Sequence, residues 1–161
     1  MNILIRRARK SDMCAIDQLS QEFAVYLHNL GCTYQFQFNG KTFLRDGFDA
    51  FPAFICFVAT KKDRVIGYVL GHMGYDADAA ARNFHIADLF VTAKYRRRSV
   101  GLQLVQKIAA YAAKSGAHEL IWAIFKRNRI AEEFYRYLGG KKIRRVNFMF
   151  APLEKILPFE P

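Results

Sequence analysis

Residues 91 to 102 read Val-Thr-Ala-Lys-Tyr-Arg-Arg-Arg-Ser-Val-Gly-Leu, an order suited to capturing an anion. An apolar run with Phe84, Ile86, Leu89 and Val91 leads into a basic turn that contains serine and glycine. A helix-period pattern starts directly after it, with Val100, Leu104, Val105, Ile108 and Ala112. The first N–H groups of a helix lack partners within it, and the helix dipole places partial positive charge at that end. Strand, basic turn and helix start together offer a row of backbone donors to phosphate oxygens. Arg96, Arg97 and Arg98 add full charges at the same place. The chemistry expected there is the binding of a pyrophosphate-like group.

The net charge of +11 over 161 residues implies an anionic partner. Nucleic acid, an acidic membrane surface and a phosphorylated cofactor all satisfy that charge. No aromatic RNA-binding pattern or paired Cys/His set accompanies it, which argues against nucleic acid. The composition, 52% hydrophobic and 24% charged, is that of a globular chain and predicts a single domain over 1–161. Cys14, Cys32 and Cys56 have no metal-ligand spacing, so no metal site is expected. Their odd, scattered arrangement predicts reduced thiols, mostly small buried residues, and a cytoplasmic address. His28, His72 and His118 show no partner spacing and read as structural. The opening Met-Asn-Ile-Leu-Ile-Arg-Arg lacks the apolar core of a signal peptide. No membrane span is expected, because polar residues such as His28, Asn29 and Gln35 interrupt the uncharged stretch 23–40.

The elements that must position these residues follow from period and punctuation. Ile3 and Ile5 alternate with polar neighbours and predict an opening strand. Ser11 or Asp12 is placed to cap a helix carrying Ile16, Leu19, Phe23 and Leu27 that ends near Gly31. A short second helix is expected at 41–48. Strands at 54–60 and 65–73 make a hairpin around Lys61 to Arg64. The Asp- and Ala-rich stretch 75–83 reads as a loop before a strand at 84–91. A helix over 100–114, a strand over 119–125, a helix from Asn128 and a last strand over 143–150 complete the order. Hairpins first and helix-strand alternation afterwards indicate an α/β (α+β) chain, one sheet with helices on both faces.

With that order the chain resembles the GNAT superfamily of acyl-CoA-dependent N-acyltransferases over nearly its whole length. The family's pyrophosphate signature is Gln or Arg, two residues, Gly, one residue, then Gly or Ala. Here it stands as Arg96, Arg97-Arg98, Ser99, Val100, Gly101. The family's second pattern is present as Asn128, Ala131, Phe134-Tyr135 and Leu138-Gly139. Both fragments occur with a strand between them, which is the structural context such motifs require. Ser99 stands where the family usually has glycine, and Arg97 where glycine is frequent. If position 99 needs a positive φ, serine carries strain of order ~1 kcal/mol there. If it needs only close backbone approach, its hydroxyl is free to donate to phosphate.

The resemblance implies a single mixed, mostly antiparallel sheet of six to seven strands and transfer of an acetyl group from acetyl-CoA to a primary amine. It assigns the pyrophosphate to Arg96, Arg97, Arg98, Ser99, Val100, Gly101 and Leu102. The pantetheine arm would pair with Leu89, Phe90 and Val91, and a backbone N–H of Leu89 or Phe90 would polarise the thioester. Asn128 and Ala131 would contact the cofactor, and Asn128 equally suits a plain helix cap. Tyr135 corresponds to the general acid, and Asp88 to a general base or an anchor for the amine. His85, three residues before Asp88, has the opposite parity of a regular strand and is expected on the other face. Asp46, Asp49, Asp76 and Asp78 suit an acidic rim for a small amine or polyamine-like acceptor. Phe148-Met149-Phe150 suits a homodimer through late strands. The competing reading is a non-catalytic basic module of the same fold that binds acyl-CoA or nucleic acid.

Overall fold

Apolar alternation in the first two thirds of the chain resolves into one sheet. The computed structural model describes residues 2–144 and 148–156, and the chain divides into two compact units, Met1–Arg127 and Asn128–Pro161. In the first unit β1 (Leu4–Arg7), β2 (Ile55–Lys61), β3 (Arg64–Asp76), β4 (Ala81–Val91) and β5 (Ala117–Trp122) pair in the order β1-β2-β3-β4-β5. The first four strands are antiparallel, and β5 joins β4 in parallel. A parallel neighbour needs a long crossover, and α3 (Val100–Lys114) supplies it. Lys62 and Asp63 take φ of 47° and 63° between β2 and β3, the left-handed pair that a tight hairpin demands.

The stretch 75–83, expected as a loop, is mostly strand. β3 runs to Asp76 and β4 starts at Ala81. The turn is held by Asp76 Oδ1, which accepts from the N–H of Asp78 (2.9 Å) and Ala79 (3.1 Å). Asp and Ala weaken a strand reading, but a long hairpin with an exposed tip does not need β-formers at its end.

α1 (Met13–Asn29) buries Ile16 and Leu19, and α2 (Gly40–Gly47) buries Phe43. These join Tyr68, Leu70 and Phe90 of the sheet in one core. Phe57 and Phe84 face the other way and meet Tyr111 of α3, with ring centroids 6.0 and 6.1 Å apart. Asp12 does not cap α1 with its side chain. Its carboxylate accepts from both terminal nitrogens of Arg6, at 2.8 and 2.7 Å, and from the Arg9 N–H at 2.7 Å. Strand β1 is thereby braced to the helix start. Asn39 caps α2, and the Gly40 N–H donates to Asp17 on α1 at 2.9 Å.

The second unit contains α4 (Arg129–Tyr137) and a short 3-10 turn at Leu153–Lys155. Asn128 caps α4 by accepting from the Ala131 N–H at 3.1 Å, and Gly139 ends it with φ of 88°. Glu132 pairs with Arg136 at 2.8 Å and Lys142 at 2.7 Å. Five strands are present among the described residues, against six to seven expected. Of the expected last strand, 145–147 lie outside the described residues, and the flanking described residues form no strand.

Candidate active site

The geometry turns on an irregularity in β4. Leu70 pairs with Asp88 and Gly71 with Ile86, so Ala87 has no partner on β3. One extra residue in one strand is a β-bulge, and it reverses which face the following side chains take. The packing records the reversal. Phe84 meets α3 on one face, while Phe90, an even number of residues on, meets Phe23 of α1 on the other. Gly71 sits opposite the bulge, where a Cβ would run into the His85 carbonyl and the Phe84 ring.

The bulge overturns the expected placement of His85. It shares the α1 face with Asp88 rather than opposing it. His72, directly across from His85 in register, lies there too, and the two rings bring Nδ1 of His85 to 3.1 Å from Nε2 of His72. His72 thus has a partner, one that lies across a strand pair and leaves no spacing signal. His118 likewise gathers with Asp76 and Glu119, their ligand atoms lying within 4.8 Å of one another on an exposed edge. Its Nδ1 lies 2.7 Å from the Arg82 carbonyl.

Asp88 faces the same core as Tyr68, whose hydroxyl donates to its carboxylate at 2.5 Å. Asp88 as a residue is half-buried, and its carboxylate lies within a dense shell of protein atoms. Burial pushes its pKa up to about 7, and the Tyr68 hydroxyl and Leu89 N–H only partly offset this. The Leu89 N–H, one of the two expected to polarise a thioester, is engaged with Asp88. Burial and the neighbouring carboxylate also hold the Tyr68 phenol well above its ordinary pKa.

β5 pairs with β4 only as far as Ile86 and Trp122. From Ala87 onward no described strand covers that side of β4, so the edge of Leu89, Phe90 and Val91 is open to an added extended ligand. The strand then runs through a 3-10 turn at Ala93–Tyr95 into the basic loop. Arg97 has φ of 55°, and Ser99 has φ of 60° with ψ of 9°. Both positions where the family favours glycine are left-handed. The Ser99 side chain makes no cap bond, and its carbonyl accepts from Gln103 at 3.0 Å. The N–H groups of Val100, Gly101 and Leu102 form the first turn of α3 and face outward along its axis. Arg97 and Arg98 are exposed. Arg96 turns back instead: Nε donates to the Val91 carbonyl at 2.8 Å, and its guanidinium lies 4.6 Å from the centre of the Tyr26 ring and 5.3 Å from that of Phe90. Arg96 therefore braces the loop with its side chain.

The first unit thus brings together Asp88, the β4 edge and the whole basic loop. Asn128, Ala131 and Tyr135 belong to the second, where Asn128 caps α4 and Tyr135 is buried beside Phe134 at 5.2 Å between rings. Of the expected acidic rim, Asp46 is held by Arg45 at 2.6 and 2.8 Å, and Asp76 and Asp78 are at the β3–β4 tip.

A sheet parted between two parallel strands, with a helix start aimed at the gap, is the framework of an acyl-CoA-dependent acyltransferase. The family model of the GNAT acetyltransferases matches residues 17–139. The chain belongs to that family, and it is an N-acetyltransferase. It is 27% identical over 147 residues to a thialysine N-epsilon-acetyltransferase of Mus musculus, covering 86% of this chain and 84% of that one. It is 32% identical over 77 residues to an L-ornithine N5-acetyltransferase of Arabidopsis thaliana, covering 48% and 34%. Among solved structures, an integron cassette protein of V. cholerae superposes with TM-score 0.79 at 22% identity, covering 97% and 98%. An aminoglycoside acetyltransferase from a soil metagenome superposes with TM-score 0.73 at 18% identity, covering 93% and 96%. These last two are likenesses of fold.

Proposed function

We propose that this enzyme acetylates a small primary amine, of the amino-acid side-chain or polyamine-like kind, by direct attack in a ternary complex. The observation that carries the reading is the bulge at Ala87. It sets Asp88 on the α1 face at the point where β4 parts from β5, three residues before the strand end at Val91 that leads into the anion-binding turn. The relatives named above act on thialysine and ornithine, whose acetylated nitrogens are primary side-chain amines, and this favours the same acceptor class.

Acetyl-CoA supplies an activated acetyl carbonyl. The first turn of α3 and the exposed Arg97 and Arg98 would hold its pyrophosphate through N–H donors and charge. The open edge of Leu89 to Val91 would take the pantetheine amides as an added strand. Phe90, its neighbour's N–H being engaged by Asp88, is our candidate for polarising the thioester. Asp88 acts as the anchor for the amine. Tyr135 acts as the general acid: a phenol with ordinary pKa near 10 protonates a departing thiolate and is replenished from water. Asn128 and Ala131 contribute through the start of α4. The exposed Phe148, Met149 and Phe150 suit pairing of two copies, and three free cysteines suit a reducing, cytoplasmic setting.

Thermal shift with acetyl-CoA followed by thiol release over an amine panel tests the assignment. Stabilisation by acetyl-CoA and turnover on a small diamine or on ornithine are expected. Tyr135→Phe should retain the shift and lose roughly 10²-fold or more in kcat. No shift at millimolar acetyl-CoA would sink the reading.

A further inference from the structure

The α1 face of the sheet holds one arrangement that the roles above leave unused, the pair His72 and His85. The Met73 carbonyl lies 3.2 Å from Nδ1 of His72. A carbonyl only accepts, so this contact places the His72 proton on Nδ1 and leaves Nε2 with a lone pair. Nε2 of His72 is the atom 3.1 Å from Nδ1 of His85, so His85 donates from Nδ1. The chain of donors ends at Nε2 of His85, which has no hydrogen-bond partner among the described residues. Its lone pair is the uncommitted base on this face, since Asp88 is engaged by Tyr68 and by the Leu89 N–H. The bulge sets His85 and Asp88 on one face, with Leu70 and His72 marking their separation on β3 as one pleat repeat, ~7 Å. A primary amine held by Asp88 spans that distance through its ammonium group and one water.

We infer that His85 is the general base that takes a proton from the acceptor's ammonium group, and that His72 is the positioning residue that fixes its tautomer; this rests on the acetyl-transfer reading above. An N–H bond of the ammonium breaks and an N–H bond forms at Nε2 of His85. The positive charge passes to the imidazole, and the freed nitrogen lone pair is the nucleophile. The proton then leaves Nε2 of His85 to water, since that residue is only half-buried, and the tautomer held by His72 is restored. Burial, and then His72, hold the His85 pKa below the ordinary imidazole range, so at neutral pH the ring is uncharged and able to accept.

The test compares two acceptors. An alkylamine arrives protonated at neutral pH and needs a base, whereas an arylamine arrives neutral and does not. His85→Ala and His85→Gln should each lower kcat/KM for the alkylamine by roughly 10²-fold. Both should leave arylamine turnover within about threefold and the acetyl-CoA thermal shift unchanged. Free imidazole should restore part of the alkylamine activity of His85→Ala. His72→Ala should lower alkylamine turnover by about tenfold, again sparing the arylamine. Equal losses on both amines, or no loss on either, would overturn the role of His85 while leaving acetyl transfer intact. A wild-type enzyme that binds acetyl-CoA yet acetylates neither amine would overturn the acetyl-transfer reading and this inference with it.

Discussion

Ser99 shows how much a single backbone angle carries. With φ of 60°, its Cβ crowds the following carbonyl at a cost of about 1 kcal/mol. Ser99→Gly should therefore raise stability by up to about 1 kcal/mol in chemical denaturation, the glycine's extra unfolded-state freedom trimming the gain. Acetyl-CoA affinity should hold, because the backbone donors keep their places. A loss of affinity would mean that the serine hydroxyl itself contacts phosphate. Asp88 gives a pH signature. Its folded-state pKa is raised to about 7, whereas in the unfolded chain it ionises near 4. Between those values the folded state holds the extra proton, so stability falls as pH rises from about 4 to about 7 and is level above. Asp88→Asn removes that slope. The difference in unfolding free energy between pH 5 and pH 8 should shrink by on the order of 2 kcal/mol in the variant.

At the scale of elements, the β4 bulge decides which side chains meet. Gly71 permits it, since a Cβ there collides with the His85 carbonyl and the Phe84 ring. Gly71→Ala should cost about 1–3 kcal/mol and lower amine turnover more than acetyl-CoA binding, read by denaturation and by separate KM values. The same element marks where the sequence was and was not legible. Strands, helices and the basic loop announce themselves through period and punctuation, and the two motifs 96–101 and 128–139 name the family and the donor. The bulge does not announce itself. Phe84 and Phe90 share one parity, as a regular strand with one apolar face would require, yet Phe84 packs against α3 and Phe90 against α1. A parity count therefore sees one regular face where the bulge makes two, and it sets His85 opposite Asp88 although the two share a face. His72 meets His85 through cross-strand register, and Asp76 meets His118 from two strands that flank β4; a linear spacing records neither.

Across the whole molecule, +11 of net charge acts on a ligand with several phosphate charges. The KM for acetyl-CoA should rise severalfold between about 50 and 500 mM salt, while kcat stays level, because screening weakens capture and leaves the chemistry alone. A salt-independent KM would mean that the backbone donors alone hold the pyrophosphate. The same charge works against a polycationic acceptor, so any acidic group that draws the amine must act locally; Asp46 is already taken by Arg45. The basic turn has one further property. Arg97 and Arg98 are exposed in a tight, strained loop, and consecutive arginines in such a loop are the preferred cleavage sites of trypsin-like proteases. A nucleotide seated on the start of α3 would lie across those same peptide bonds. The loop should thus report its own occupancy: limited trypsin digestion is expected to nick the free enzyme there and to be slowed by acetyl-CoA.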